Sequence, residues 1–309
     1  MAGELIDVHA HFVTGDYIAA ATEAGHVTPD GMPRWPAWTP DDHLNLMDVN
    51  GIRKSFLSVS SPGTHFGDDP AARKLSRQVN DYAADLVRRH PDRFGHFASL
   101  PLPDVDGALA EAAHALDELG SDGVALMSNA HGRYLGDPAY EPLWEELDRR
   151  RAVVFVHPTS PLNHEQVAMG RPRPMLEFIF DTTRTVSDLV FSGVLTRRPG
   201  IRWIFTHGGG ALPLLSDRME LFRTAFFGGS PDDPSVVEQV GRLWFDIAGT
   251  PFPRQVPALE KAFGAGQVLY GSDYCFTPPP AVAAQVASVD ANWRALTTAN
   301  ARRLLSRTT

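Results

Sequence analysis

The chain has 309 residues, of which 43% are hydrophobic and 21% charged, and its formal net charge is −9 at pH 7. This composition excludes a disordered chain, and the acidic balance argues against nucleic acid as a partner, because phosphate binding needs a basic surface. The single cysteine, Cys275, excludes an internal disulfide, and no apolar run approaches the roughly 18 residues of a membrane span. The first residues lack a basic and apolar leader segment, so we predict a soluble, cytoplasmic protein that does not contact membranes.

Eight short apolar or β-branched runs alternate along the chain with segments of helical periodicity. Several runs are apolar throughout, which is typical of parallel strands covered on both faces. The intervening segments carry apolar residues at spacings of three and four, and some begin at an aspartate that can cap a helix, such as Asp104. A long helix is predicted over 176–195 and a closing helix over 292–305. The predicted strands are 5–9, 54–60, 94–99, 123–127, 153–157, 201–207, 243–247 and 267–271.

This alternation predicts a (β/α)8 barrel, the TIM-barrel architecture, as a single domain over residues 1–309. The alternative is an open doubly wound sheet, whose usual marker is a glycine-rich phosphate loop after an early strand. The dense glycine cluster of this chain, 208–210, instead follows the sixth strand. The long loops 22–40 and 159–175 follow the first and fifth strands, so we expect them to act as lids on the C-terminal face, with a plain surface insertion as the alternative.

Histidines and one aspartate stand where predicted strands end. The first strand runs into His9 and His11, whose side chains face the same way because residues two apart on a strand share a side. The fifth and sixth strands end at His157 and His207, and Asp273 follows the eighth. Barrel closure places the eighth strand beside the first, so we expect these five side chains to converge at one end of the barrel.

Imidazoles and a carboxylate suit zinc or manganese, and a catalytic site leaves one position open for water or substrate. We therefore assign His9, His11, His157 and Asp273 to one divalent metal ion, with zinc expected and manganese as the alternative. His207 is left to act as an acid or base. Each residue alone has a structural explanation, such as a packed core histidine or a helix cap. The functional prediction rests on their combination.

Four segments resemble the amidohydrolase superfamily and, within it, the branch of aminocarboxymuconate-semialdehyde, γ-resorcylate and 6-methylsalicylate decarboxylases. They are Asp-Val-His-Ala-His-Phe at 7–12, His-Pro at 157–158, Thr-His-Gly-Gly-Gly at 206–210 and Tyr-Gly-Ser-Asp-Tyr at 270–274. The resemblance covers nearly the whole chain and implies a mononuclear metal centre on a (β/α)8 barrel. The fourth strand carries no lysine of the kind that binuclear members carboxylate, which supports a single ion.

The resemblance also implies a contact between subunits. Arg218 lies eleven residues after His207. At that offset the aminocarboxymuconate enzyme has an arginine that reaches the neighbouring subunit's site and pairs with the substrate carboxylate. We therefore predict a homodimer, with an exposed helix-surface arginine as the alternative. Arg34 is a candidate for the second substrate arginine of that enzyme.

The loop around Arg34 is rich in proline and tryptophan and departs from the pattern of the aminocarboxymuconate enzyme. This favours an aromatic acid that stacks on Trp35 or Trp38. Phe12, beside the first pair of histidines, is a further predicted substrate contact. Three more histidines, His65, His131 and His164, follow the second, fourth and fifth strands on the same face. We expect His65 to contact substrate.

These features predict a metal-dependent, non-oxidative decarboxylase of a hydroxybenzoate-type acid such as 6-methylsalicylate. We expect the carboxylate and ortho hydroxyl to bind at the metal, the ring carbon to be protonated, and CO2 to leave as aromaticity returns. Either Asp273 or a water activated by His207 delivers the proton. The same ligands support hydrolysis of an amide or lactone, or deamination, with His207 as base. A barrel that binds without turnover is the third alternative, although no ligand position is lost.

Overall fold

The computed structural model describes residues 4–230 and 232–306 and has a nearly closed ring of eight parallel strands at its centre. The strands pair in chain order, and the first meets the last through parallel bridges from Asp7 to Tyr270 and from Ala10 to Tyr274. This ring confirms the predicted (β/α)8 barrel. Its strands are β1 (Leu5–His11), β2 (Ile52–Ser58), β3 (Phe94–Ser99), β4 (Gly123–Met127), β5 (Val153–His157), β6 (Arg202–Phe205), β7 (Trp244–Asp246) and β8 (Val268–Leu269).

The sequence predicts a single domain over residues 1–309. Residues 1–3, 231 and 307–309 lie outside the described part of the chain, so the structure covers only part of that range. The prediction that the first residues lack a leader segment rests partly on residues 1–3. No helix in the two described ranges has the length and apolarity that crossing a bilayer requires. The cytoplasmic location stays a prediction.

Helices surround the ring and connect its strands, and aspartates begin several of them. Asp68 accepts a hydrogen bond from the N–H of Ala71, and Asp104 accepts one from the N–H of Gly107, each at the first turn of a helix. The helices are α1 (Gly15–Glu23), α2 (Pro40–Asn50), α3 (Asp69–Arg89), α4 (Val105–Asp117), α5 (Glu141–Arg149), α6 (His164–Val167), α7 (Glu177–Phe191), α8 (Val194–Arg197), α9 (Leu212–Phe226), α10 (Val236–Val240), α11 (Val256–Phe263), α12 (Pro279–Ser288) and α13 (Ala291–Leu305).

Several boundaries differ from the predicted ones. β1 continues past residue 9 because it stays paired with β2 as far as the contact between His11 and Ser58. β6 ends before His207, whose φ of 53° lies outside the extended region. The predicted helix over 176–195 is interrupted at Gly193, whose φ of 77° ends one helix before the short α8 begins.

The barrel interior is filled at its amino-terminal end, where α13 closes the ring. Ala301 and Leu304 of this helix belong to one buried apolar cluster with side chains from seven strands. Thr298 Oγ1 donates to the carbonyl oxygen of Glu4 at 2.7 Å, and Asn300 Nδ2 donates to that of Val268 at 2.9 Å. The opposite, carboxyl end of the strands is therefore the end that is available for chemistry. The strand residues of this cluster include Val8, Phe56, Phe97, Ala125, Phe155, Ile204 and Leu269.

Candidate active site

β1 carries two fully buried histidines whose rings meet at the carboxyl end of the barrel. The Nε2 atoms of His9 and His11 lie 2.9 Å apart. Their other nitrogens are held from behind, because His9 Nδ1 lies 3.0 Å from Asp246 Oδ2 and His11 Nδ1 lies 3.2 Å from the carbonyl oxygen of Ser58. These acceptors place a proton on each Nδ1, which leaves each Nε2 as the candidate ligand atom.

His157, at the end of β5, adds a third ring. Its Nδ1 donates to the carbonyl oxygen of Pro158 at 2.7 Å, which leaves Nε2 without a proton. The ligand atoms of this histidine, of the pair on β1 and of Asp273 all lie within 4.8 Å of one another. Lone pairs and a carboxylate this close repel each other unless a cation lies among them. The donor set therefore fits one divalent metal ion.

Asp273 reaches the histidines because the chain after β8 runs close against β1. A Cβ at Gly271 would lie 2.6 Å from the Cβ of His9, so only glycine allows this approach. The backbone N–H groups of Ser272 and Asp273 both donate to the carbonyl oxygen of His9, at 3.1 and 2.8 Å. Asp273 Oδ1 consequently lies 3.4 Å from His9 Nε2 and 3.2 Å from His11 Nε2.

The turn after β6 directs His207 toward the same group. The three glycines 208–210 all have positive φ, and a Cβ at the last of them would collide with the carbonyl oxygen of Ile179. The N–H of His207 donates to Asp246 Oδ1 at 3.2 Å, and its Nε2 lies 3.6 Å from Asp273 Oδ2. His207 thus stands beside the donor set without being one of its four members.

Asp246 is a functional candidate that the sequence pattern did not single out. It ends β7 and is fully buried. Its Oδ2 contacts His9, and its Oδ1 accepts from the N–H groups of His207 and of Ala248, the latter at 3.0 Å. The sequence signal for it was an acidic residue inside an otherwise apolar strand. Such a carboxylate is expected to be buried and therefore to need hydrogen-bond partners. Asp246 orients both a metal-ligand candidate and the acid–base candidate.

Burial and close charges perturb the pKa values of the group. Burial disfavours protonation of His9, but the carboxylates of Asp246 and Asp273 outweigh it and raise its pKa to about 10. Burial lowers the pKa of His11 and holds that of His157 well below its usual range. Burial opposes ionisation of Asp273, yet the neighbouring histidines keep its pKa well below the usual range. The group therefore favours a positive charge between its carboxylates.

A cavity of about 400 Å³ opens above this group, with His157, His207 and Asp273 in its lining. That volume suits a substituted benzene ring. Among the described residues, no lysine or arginine lines it. Both long loops, 22–40 and 159–175, contribute to the wall, and their role as lids stays a prediction. The apolar wall residues include Pro29, Met32, Met175, Phe178, Ile179 and Phe276.

The predicted aromatic contacts lie outside this cavity. Trp38 donates its indole N–H to His43 Nδ1 at 3.0 Å and packs on Phe12, which is only 2% exposed. Trp35 approaches the wall only through Phe276, with 6.5 Å between ring centroids. The structure therefore does not bring Phe12, Trp35 or Trp38 to the cavity, because core packing and bonded indole groups hold them in the layer behind it.

The remaining predicted contacts also lie elsewhere. Arg218 is exposed on α9, with its guanidinium 5.0 Å from the ring centroid of Phe222, and Arg34 is exposed on its loop. His65 lines a neighbouring cavity, where its Nδ1 lies 2.9 Å from His131 Nε2. The cavity above the metal-ligand candidates thus contains His207 but none of the predicted substrate contacts of this chain.

Comparison with known proteins shows the family of this chain. The amidohydrolase family profile matches residues 6–308. The chain is 39% identical over 289 residues to decarboxylase yanB of Aspergillus niger, and the matched region covers 88% of this chain and 77% of that protein. It is 36% identical over 289 residues to 6-methylsalicylic acid decarboxylase acuB of Aspergillus aculeatus, and the matched region covers 90% of this chain and 86% of that protein.

Two solved structures extend the similarity to the whole fold. A crystal structure of an amidohydrolase II has a TM-score of 0.91 and 33% identity, over 98% of this chain and 100% of that chain. A dihydroxybenzoic acid decarboxylase from Polaromonas sp., with bound manganese and the inhibitor 2-nitroresorcinol, has a TM-score of 0.84 and 25% identity, over 98% of this chain and 97% of that chain. Profile, sequence similarity and fold agree with one another, and this chain belongs to the amidohydrolase family.

Proposed function

We propose that this protein is a metal-dependent, non-oxidative decarboxylase of a hydroxybenzoate-type acid with one carboxylate, of which 6-methylsalicylate is an example. The observation that carries the proposal is the meeting of three histidine Nε2 atoms with the Asp273 carboxylate at the base of a largely apolar cavity, which His157 and Asp273 line. Its relatives named as decarboxylases support the reaction, and the 6-methylsalicylic acid enzyme supports the substrate class.

The donor set would hold one divalent ion through His9, His11, His157 and Asp273. Nitrogen and carboxylate ligands suit both zinc and manganese. Zinc is the expected ion, and the manganese in the Polaromonas enzyme makes manganese the direct alternative. When bound, such an ion supplies a Lewis acid that stabilises developing negative charge on the substrate.

The residues of this chain supply orientation and a proton. The apolar walls hold the aromatic ring and exclude water, which strengthens electrostatic interactions inside the cavity. Protonation forms a bond between hydrogen and the ring carbon that bears the carboxylate. The bond to the carboxylate then breaks, CO2 leaves, and the electron pair returns to the ring. Asp273 is ionised in the free protein, so it can deliver the proton only after it has accepted one from the substrate. The alternative donor is a water that hydrogen-bonds to His207, whose Nε2 lies 3.6 Å from Asp273 Oδ2.

The reaction can be tested by product analysis. Protein loaded with zinc or manganese is incubated with a panel of ortho-hydroxybenzoates, including 6-methylsalicylate, and evolved CO2 is measured while mass spectrometry follows the organic product. We expect CO2 release with loss of the carboxylate from at least one acid of the panel. Ammonia release or ring opening of amide and lactone substrates without CO2 would instead establish the hydrolase alternative.

The proposal includes a homodimer that forms through α9. Leu214, Arg218 and Leu221 follow one another at spacings of four and three, so they share a face of this helix. Leu214 is 80% exposed and Leu221 55% exposed, and a leucine pair at this exposure favours a protein partner. A second copy that covers this face would also bring Arg218 to the subunit boundary, as the resemblance implies.

Light scattering after gel filtration tests this dimer. We expect twice the chain mass for the unmodified protein and a monomer for the Leu214→Glu/Leu221→Glu variant. The matched control is Leu162→Glu, because Leu162 is similarly exposed, at 76%, but lies on the loop 159–175. A monomeric unmodified protein would remove the dimer from the proposal.

A further inference from the structure

A second cavity lies beside the first on the C-terminal face of the barrel. Its volume is about 500 Å³, and its lining includes residues at the ends of β3 and β4. Asp30 lines both cavities, so the two share a wall. The proposed reaction does not use this space, although its volume lies within the range of small-molecule sites.

The lining of the second cavity carries more basic than acidic side chains. Arg173 contributes a guanidinium whose Nε donates to Ser160 Oγ at 2.9 Å and which, within the described ranges, pairs with no carboxylate. Asp30 is the single acidic side chain of the described lining, and it already accepts from Ser160 Oγ at 2.5 Å. The excess of cationic and titratable groups favours an anion. Four histidines complete the basic part of the lining: His26, His65, His131 and His164.

A chain of hydrogen bonds fixes the tautomer of His131. The N–H of Gly67 donates to His65 Nδ1 at 3.1 Å, so the proton in the 2.9 Å contact between His65 and His131 belongs to His131 Nε2. His65 Nε2 lies 2.8 Å from Asp69 Oδ1, to which it donates. Burial lowers the pKa of His131. An anion in the cavity would offset this and favour the imidazolium form.

Apolar side chains form the rest of the lining. Leu100 and Leu102 follow β3, and Leu126 and Met127 end β4. An inorganic anion would leave this apolar surface uncovered, and a neutral aromatic molecule would leave Arg173 without a counter-charge. A ligand with one aromatic ring and one carboxylate satisfies both parts of the lining.

We infer that this cavity is a second binding site for an aromatic monocarboxylate, which Arg173 and the surrounding histidines hold beside the metal-ligand cavity. The site needs neither a metal ion nor decarboxylation. It is therefore independent of the proposed reaction, although an acid of the same class occupies both cavities.

The number of bound molecules tests the inference. The probe is 4-fluorobenzoate, which lacks the ortho hydroxyl, and its binding to the intact metal-loaded chain is counted by equilibrium dialysis. We expect two molecules per chain for the unmodified protein and one for the Arg173→Gln/His131→Asn variant, because glutamine removes the charge of the guanidinium and asparagine removes an imidazole of the same lining. Asparagine also tolerates the φ of 52° at residue 131. The matched control, His90→Asn, changes a histidine at the opposite end of the barrel, before β3, and is expected to bind two molecules.

The decisive quantity is the loss of one bound molecule between the unmodified protein and the double variant. If the proposed reaction is wrong and the metal-ligand cavity binds no benzoate, the unmodified protein binds one molecule and the double variant binds none. The inference still stands in that case. Equal counts in the two proteins, or no binding to the unmodified protein, would overturn it. Acetate is the ring-free comparison. We expect at least tenfold weaker binding of acetate at this site, and equal affinity would refute recognition of an aromatic acid.

Discussion

His9 and Asp246 are joined by a 3.0 Å contact between Nδ1 and Oδ2, although 237 positions separate them in the chain. Both side chains are fully buried, so water cannot replace this hydrogen bond. The other oxygen of the same carboxylate accepts from the backbone N–H of His207 at 3.2 Å. One residue of β7 therefore orients a proposed metal ligand and the proposed acid–base residue together.

The first prediction concerns Asp246→Asn. The amide oxygen can still accept from the N–H of His207, but its NH2 group then faces the N–H at His9 Nδ1, and two donors oppose each other. We expect metal affinity to fall about 10- to 100-fold, the usual effect of losing a partner of a ligating histidine. Competition with a chelator measures this affinity. Asp16→Asn, on the exposed start of α1, is the control, and an unchanged affinity for Asp246→Asn would contradict the orienting role.

The second prediction concerns His157→Ala. Removal of this ring deletes one of three Nε2 donors, so the purified variant should contain less metal than the unmodified protein and should lose activity as well. Mass spectrometry of the metal content gives the measurement. His90→Ala, which changes a histidine after α3, should keep full metal content. Full occupancy in the His157 variant would show that this residue is not a ligand.

The third prediction concerns His207→Ala. His207 stands outside the four-member donor set, so the variant should retain its metal. We expect turnover to fall about 10²- to 10⁴-fold, the usual contribution of a general acid or base. Metal content and the rate of CO2 release are measured on the same preparation. Loss of metal from this variant would mean that the division between ligands and acid–base residue is wrong.

The fourth prediction concerns stability in acid. Burial, followed by the charge of Arg88, lowers the pKa of His96 from 6.5 to about 4. The unfolded chain therefore takes up this proton at a higher pH than the folded protein. The stabilising contribution is fully present above pH 6.5 and is lost as the pH falls toward 4. The loss amounts to about 2 kcal/mol at pH 5.

Urea unfolding at pH 7 and pH 5 measures this effect as a difference in the free energy of unfolding. We expect His96→Gln to lose less stability between the two pH values than the unmodified protein, because glutamine does not titrate. His90→Gln should keep the pH dependence of the unmodified protein. An identical pH dependence for His96→Gln would show that this residue does not destabilise the fold in acid.

Most of the architecture was predictable because it follows from local patterns. Apolar runs alternating with helical segments predicted the eight strands, and the family profile agrees over residues 6–308. Boundaries were less predictable where pairing or backbone torsion decides them. β1 runs on to His11 because β2 continues beside it, and Gly193 interrupts a helical pattern through its φ of 77°.

The candidate site also has a part that local patterns predict and a part that tertiary packing decides. The histidines on β1 and β5 could be predicted to converge with His207 and Asp273, because all carboxyl ends of parallel strands meet at one face. The predicted substrate contacts do not line the cavity, because the path of a long loop depends on tertiary packing. Trp38 turns toward His43 instead of the cavity, and Arg218 stays on the outside of α9.

By itself, the sequence determined the barrel, the family and the group of side chains at its carboxyl end. Strand periodicity and the direction of parallel strands are enough for the barrel and the group of side chains, and the resemblance of four motifs indicated the family. Only the tertiary structure decided that Asp246 supports His9, that the wall above them is apolar, and that a second, basic cavity lies alongside. Such relationships join residues that are far apart in the chain, and the physical reason is that packing, not local pattern, sets the distances between them.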